Sequence, residues 1–195
     1  MVVVKEEVRT HIVGVARKIF TRNGFRKTTM EEIAEVSQKG KSSIYYYFKS
    51  KEEIFRAVVE KEAHELKERL DRIVMKKDSP DERLKAYMLF RLHYVKTLGN
   101  FYAALREESL SHMEFILEIR RNFEEEERQV VSEILDDGMN RGFFKLTSSE
   151  IGAVAISTMM KGLEVPLLLS DEHKTDREEL MEDLIRVLFY GIIQR

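Results

Sequence analysis

Cysteine is missing altogether, and only two prolines and nine glycines interrupt 195 residues. Without cysteine there is no disulfide framework and no thiolate metal site, which agrees with a reducing compartment and makes the cytoplasm the expected location. With so few chain breaks, and with 43% apolar and 35% charged residues, the composition favours long amphipathic helices over a sheet. The predicted fold class is all-α. Long apolar runs are also missing. The longest, IGAVAISTMM from Ile151, stops at Lys161 and Glu164, well short of the roughly 18 residues that a membrane span needs. The apolar run in MVVVKEEVR has no basic leader and is too short for a signal-peptide core. A soluble intracellular protein with no membrane partner is expected, large enough for one domain of ordinary size or two small ones.

Catalytic and metal-binding patterns are equally sparse. The GKS of QKGKSSIYYYFKSK (Gln38 to Lys51) resembles the end of a phosphate-binding loop. The first glycine of that loop belongs five positions before Gly40, where Glu35 stands, and its carboxylate would repel phosphate. None of His11, His64, His93, His112 and His173 follows a Glu by three residues, so the Glu-x-x-His pairs of di-iron bundles are absent. The stretch HELKE at His64 lacks the second His of a zinc-protease helix. Glu60, His64 and Glu68 share a helix face that reads as an exposed, charge-laced surface, and the acidic run Glu124–Glu127 reads as solvated. No enzyme activity, catalytic residue, metal or cofactor is expected.

What the chain does have is an uneven charge distribution. Residues 1–51 carry eleven Lys/Arg against five Glu, a net of +6, whereas the remainder is −8. An N-terminal unit that meets a polyanion is indicated. The same region is punctuated as three short helices. Ile12, Val15, Ala16, Ile19 and Phe20 recur at helical spacing within about Lys5–Asn23, and Gly24 supplies a left-handed stop. Thr29-Met30-Glu31-Glu32 is a capping box opening a second helix that ends near Ser37. A third, from about Lys41 to Phe48, has Ile44 and Phe48 four apart as its anchor and leaves basic, hydroxyl and aromatic side chains facing outward. Three successive tyrosines about 100° apart cannot all face one core. This is the physical specification of a helix-turn-helix that reads DNA.

At these residues, FTRNGFRKTTMEEIAEVS and KSSIYYYFKSKEEIF, the chain resembles the DNA-binding domain of TetR-type transcriptional regulators over roughly residues 8–60. The family's usual turn, Ala-Gly-Val-Ser, is here Ser37-Gln38-Lys39-Gly40, leaving Gly40 to take over either the turn or the N-cap of the third helix. Carried over by position, the resemblance implies that Lys41, Ser42 and Tyr46 meet base edges, Lys41 donating to guanine and Tyr46 touching a thymine methyl. It implies that Thr29, Ser43, Tyr45, Tyr47 and Lys51 hold phosphates. The implied division is a helix-turn-helix domain over 1–52 and a helical ligand-binding and dimerisation domain over 53–195. The implied function is a sequence-specific regulator that binds an inverted-repeat operator in double-stranded DNA as a homodimer, a repressor released by an unknown small-molecule effector. The competing readings are a helical metal or small-molecule enzyme with a basic N-terminal unit, and an effector-independent architectural DNA-binding protein.

Beyond residue 50 the pattern is helical but chemically plain. Ser50-Lys51-Glu52-Glu53 is a second capping box, opening a long helix with Ile54, Val58, Ala63, Leu66, Leu70 and Ile73 on its buried faces. The linker KKDSPDE leads to Pro80, suited to a first helical turn. Further helices are predicted over about 81–98, 101–107, 112–140, 148–169 and 176–193. Phe90, Tyr94, Phe101, Tyr102, Phe115, Phe123, Met139, Met159 and Met160 either line an apolar pocket or form plain core, which periodicity does not separate. Two apolar stripes, Ile151, Val154, Ala155, Thr158, Met159, Gly162 and Leu163, and Leu180, Leu184, Leu188, Gly191 and Ile192, suit the four-helix dimer interface that the resemblance implies.

Overall fold

The structure, a computed structural model, describes residues 2–94, 99, 100, 103, 114–169 and the positions 179, 182, 183, 185–187 and 189. Among the described residues there is no β-strand, and seven helices are delimited. They are α1 (Val2–Lys27), α2 (Met30–Val36), α3 (Lys41–Tyr47), α4 (Lys51–Val74), α5 (Pro80–Tyr94), α6 (Glu114–Asn140) and α7 (Ser149–Leu169). The helix predicted over 101–107 lies outside the described residues apart from Ala103. So does most of that over 176–193, including all of the second stripe. The chain divides into two compact units, residues 1–65 with 98–119 and residues 66–97 with 120–195.

In the first unit the stops and caps fall where local chemistry puts them. Gly24 breaks α1 at φ 77°, ψ 164°, a conformation that costs an L side chain but not glycine. Thr29 caps α2 by accepting a hydrogen bond from the Glu32 amide at 3.1 Å. At the start of α4 the Ser50 hydroxyl accepts from Glu53 N at 3.3 Å. The Glu53 carboxylate reaches back to Lys49 N at 2.6 Å, one residue before the cap. Ile12, Ile33, Ile44, Ile54 and Val58 are fully buried, each contributing roughly 1.5–3 kcal/mol from area removed from water. Phe20, Phe25 and Phe55 pack ring on ring, with centroids 4.8–5.9 Å apart. A polar strut stands beside this core: buried Glu62 accepts from Arg17 Nε and from Asn100 Nδ2, both at 2.9 Å, and Arg17 also reaches Glu65 at 2.8 Å.

In the second unit α5 packs against α7. The core holds Leu84, Tyr87 and Met88 of α5, Val131 and Leu135 of α6, and Ala153, Ile156 and Met160 of α7. Pro80 is the first residue of α5, where its missing N–H costs nothing. Past the end of α6 the chain turns through Gly142 at φ 75°, and Phe144 folds back onto the helix. A Cβ on Gly138 would stand 2.1 Å from the Phe144 ring, so glycine is required there by close approach.

Candidate nucleic-acid interface

α3 is seven residues long and held from one side. Ile44 and Phe48 are buried at 0% and 1% exposure and fix it to the first unit. The remaining side chains turn outward by helical geometry. Lys41, Ser42, Tyr45 and Tyr46 are exposed, Ser43 and Tyr47 are half-buried, and Tyr46 is the most open large side chain of α3 at 64%. Tyr46 and Tyr47 meet edge to face at 5.1 Å, and the Lys5 ammonium lies 4.8 Å from the Tyr46 ring centroid. α3 itself contains no acidic residue, so its outer face offers hydroxyl and ammonium donors, and the acid that meets it is Glu31 of α2.

The turn before α3 resolves the choice that the sequence left open. Gly40 is the N-cap, extended at φ −63° and ψ 146°, with no side-chain cap. The left-handed position is taken by Gln38, at φ 55°. Ser37 closes α2. Gln38 N donates to Glu35 O at 3.0 Å and Lys39 N to Ala34 O at 2.9 Å, the paired bonds that end a helix when the residue after the cap is left-handed. An L side chain therefore sits where glycine is the usual choice. Ser37 is buried and its hydroxyl donates to Ala34 O, while His11 Nε2 donates to the Ser37 carbonyl at 3.3 Å.

Two of the cations are engaged within the chain. Lys41 pairs with Glu31 of α2, and the hydrogen bond between them raises the ammonium's pKa and lowers the carboxyl's, both groups being exposed. Lys51 is half-buried. Its ammonium donates to the carbonyls of Phe25 and Thr28, both at 2.9 Å, and lies 4.4 Å from the Phe25 ring centroid. It thereby ties the start of α4 to the end of α1, a task that the sequence does not disclose. Thr29 is exposed, and its oxygen is committed as an acceptor to the α2 cap.

The apolar pocket candidates are dispersed. Phe115 stands 6.5 Å from the Phe55 ring in the first unit. Phe90, Met139 and Met159 are half-buried in the second, and Met160 is buried. Phe123 lines a recess of that unit, with the Arg91 guanidinium 4.9 Å from its ring centroid. Phe101, Tyr102 and the side chain of Tyr94 lie outside the described residues. The expectation that Glu124–Glu127 is solvated fails at Glu127, which is 4% exposed and bonded to Arg91 and Tyr87. Four successive helical positions span most of a turn, so one of them had to face inward. Phe123 and Val131, four residues either side, mark Glu127 as that one. Glu60, His64 and Glu68 are exposed, as their face suggested. Among the described residues no group of three or more His, Asp or Glu is placed to hold a metal, and no helix is long and apolar enough to cross a membrane.

Residues 12–58 match the model of a family described as bacterial regulatory proteins, tetR family. The HTH-type transcriptional regulator QacR of Staphylococcus aureus is 38% identical over 52 residues, 27% of this chain and 28% of that protein. The match thus spans little more than a quarter of that relative's length. YhgD of Bacillus subtilis, an uncharacterized HTH-type transcriptional regulator, is 26% identical over 146 residues, 73% of this chain and 74% of its own. Among solved structures, a transcriptional regulator of the TetR/AcrR family from Thermobifida fusca is 27% identical, with 94% of this chain and 97% of that one covered and a TM-score of 0.73. The helix-turn-helix with its outward donor face, the family match seated on it, and a likeness that extends along most of the chain agree: residues 12–58 match the DNA-binding region of the tetR family of bacterial regulatory proteins, and the chain as a whole is similar to regulators of that family.

Proposed function

We propose that the protein is a sequence-specific DNA-binding transcriptional regulator and not an enzyme: a cytoplasmic, homodimeric repressor that binds an inverted-repeat operator and is released by a small-molecule effector. The observation that carries this reading is the face of α3, where Lys41, Ser42, Tyr45 and Tyr46 are exposed around a buried Ile44–Phe48 anchor with no acid among them. The helix is narrow enough for the major groove, and its side chains are donors suited to base edges and phosphates. Lys41, Ser42 and Tyr46 read bases. Thr29, Ser43, Tyr45, Tyr47 and the remaining donor capacity of Lys51 hold the backbone. Residues 1–52 form the reading domain and residues 53–195 the ligand-binding and dimerisation domain.

The dimer is supported by α7. Ala153, Ile156 and Met160 are buried, yet on other faces of the same helix Ile151, Val154, Ala155, Thr158 and Gly162 are exposed, with Ile151 at 67% and Val154 at 51%. An apolar stripe with small residues left uncovered suits close packing against a second copy. An effector acts by binding one spacing of the two reading helices better than another, since only differential affinity shifts such an equilibrium.

The test is operator binding against salt and against sequence. Affinity falls steeply with ionic strength, each neutralised phosphate contributing about −0.9 to the log–log slope. A single half-site binds far more weakly than the inverted repeat. Lys41→Ala changes preference at one base pair, because the ammonium exchanges its Glu31 partner for a base acceptor. A flat salt dependence sinks the DNA reading, equal affinity for one half-site sinks the dimer, and a uniform loss across a panel of operator variants demotes Lys41 to a backbone anchor.

A further inference from the structure

α3 holds a single cation, Lys41, and the fold places an acid of α2 against it. Lys41 is the first residue of α3, Glu31 stands in the first turn of α2, and the carboxylate of one pairs with the ammonium of the other on the exposed surface of the first unit. The other two acids of α2 are disposed differently. The Glu32 carboxylate is taken up on the α1 side, where it accepts from Asn23 Nδ2 at 2.8 Å and from Arg22 Nη2 at 3.4 Å. Glu35 is exposed one turn further along and is not paired with Lys41. Glu31 is therefore the acid that shares the open face of α3.

An exposed pair of this kind adds little to stability. A first-turn acid complements the α2 dipole, but on a face that meets phosphates it also repels the ligand, so a bound state that leaves Glu31 idle is penalised. Lys41, read as a donor to guanine, gives up Glu31 on binding and leaves a bare acceptor behind. The base edges hold the matching donor. In a G·C pair guanine O6 accepts from cytosine N4, so the two atoms stand about 3 Å apart, and N4 keeps its second hydrogen in the major groove. A carboxylate that touches an ammonium seated on guanine is thus within hydrogen-bond reach of that N4. An A·T pair in the same orientation puts the adenine amino group before Lys41 and thymine O4 before Glu31, two repulsions in place of two bonds.

We propose that Glu31 is a base-reading residue, its carboxylate accepting from cytosine N4 of the same G·C pair whose guanine takes Lys41. The ion pair of the free protein is then the recognition pair of the bound one, opened so that each partner meets its complement on one base-pair edge. The inference rests on the regulator reading above and on Lys41 as a guanine donor.

The test uses the full-length protein and a duplex that it enriches from a random DNA pool, with affinities measured by fluorescence anisotropy on every single-base-pair variant of that duplex. Lys41→Ala locates the base pair. Glu31→Ala lowers the preference for G·C over A·T at that same pair by about tenfold, whatever it does to overall affinity, and leaves the other positions unchanged. N4-methylcytosine at that pair, whose methyl takes the place of the outward hydrogen, weakens the parent about tenfold and Glu31→Ala by less than about twofold. Glu35→Ala, which removes the same charge from the same helix, leaves the preference intact. A Glu31→Ala that tightens or weakens all duplexes alike acts through charge or stability alone and overturns the proposal. So does an equal effect of N4-methylcytosine on parent and Glu31→Ala, or a Glu35→Ala that shifts the preference as far. A parent that enriches no sequence refutes the regulator reading, a Lys41→Ala that alters no base pair refutes the guanine contact, and the proposal falls with either. An enriched site with a Lys41-dependent pair that is indifferent to Glu31 refutes the proposal alone.

Discussion

Lys51→Ala separates two jobs that a surface lysine can have. Its ammonium makes two charge-assisted bonds at 2.9 Å, to the carbonyls of Phe25 and Thr28, and faces the Phe25 ring at 4.4 Å. Carbonyls in the last turn of a helix and just past it have no intrahelical donor, so those of Phe25 and Thr28 depend on Lys51 or on water. A net contribution of about 1.5–3 kcal/mol is typical for one hydrogen bond to a charged group. Because the side chain is half-buried and water replaces part of what is lost, the two bonds together are set at about 2 kcal/mol, with the ring contact adding about 0.5. The expected loss is therefore about 2–3 kcal/mol. In urea this moves the unfolding midpoint of the first unit by about 1 M, given a slope of roughly 1–3 kcal/mol per M. Lys51→Met, which keeps the stem and removes the donors, lies close to the alanine variant. Circular dichroism during urea titration measures both. If both variants unfold within about 0.5 kcal/mol of the parent while the salt slope of DNA binding drops by about one, Lys51 is a phosphate anchor and nothing more, and the tie between α4 and α1 carries no weight.

Gln38→Gly relieves a left-handed residue, worth about 1–2 kcal/mol, against roughly 0.5–1 kcal/mol for the looser unfolded chain. The net is a gain of about 0.5–1 kcal/mol and a melting temperature a few degrees higher. A less stable glycine variant refutes the strain at φ 55°. Gly138→Ala places a methyl 2.1 Å from the Phe144 ring and destabilises by about 1–3 kcal/mol as an overpacked core does. Adding Phe144→Leu recovers part of that loss, and strictly additive effects in a double-mutant cycle exclude the clash.

Features set by neighbours in sequence were legible from the chain alone. Gly24 marks the break in α1, Thr29 and Ser50 mark helix starts through capping chemistry that acts over a few residues, and Ile44 with Phe48 fixes which side of α3 is buried. Features set by distant partners were not. Lys51 meets carbonyls 23 and 26 residues away, and only the packing of α4 on the end of α1 supplies them. The turn was readable as a turn but not in detail, because glycine at position 40 and glutamine at position 38 exchange the roles that composition alone would assign. Glu127 was misassigned because a run of four acids was read by charge rather than by helical phase. The interleaved apolar positions of α6 carried the information.

The Thr29 hydroxyl has a consequence for which substitutions position 29 can accept. As the α2 cap it works through a lone pair, accepting the Glu32 amide at 3.1 Å. In the proposed phosphate contact it works through its hydrogen. Under that proposal one oxygen would face the fold as an acceptor and the nucleic acid as a donor, and a hydroxyl is a side-chain group that can do both at once. Asparagine and aspartate are as good or better at capping, but asparagine caps with its oxygen and must donate from a different atom, while aspartate brings a charge of the wrong sign. Lysine donates but does not cap. Folding and recognition are each tolerant at this position when taken alone; their intersection on a single atom narrows the choice to threonine and serine, so a drift that leaves the helix intact can still silence the regulator.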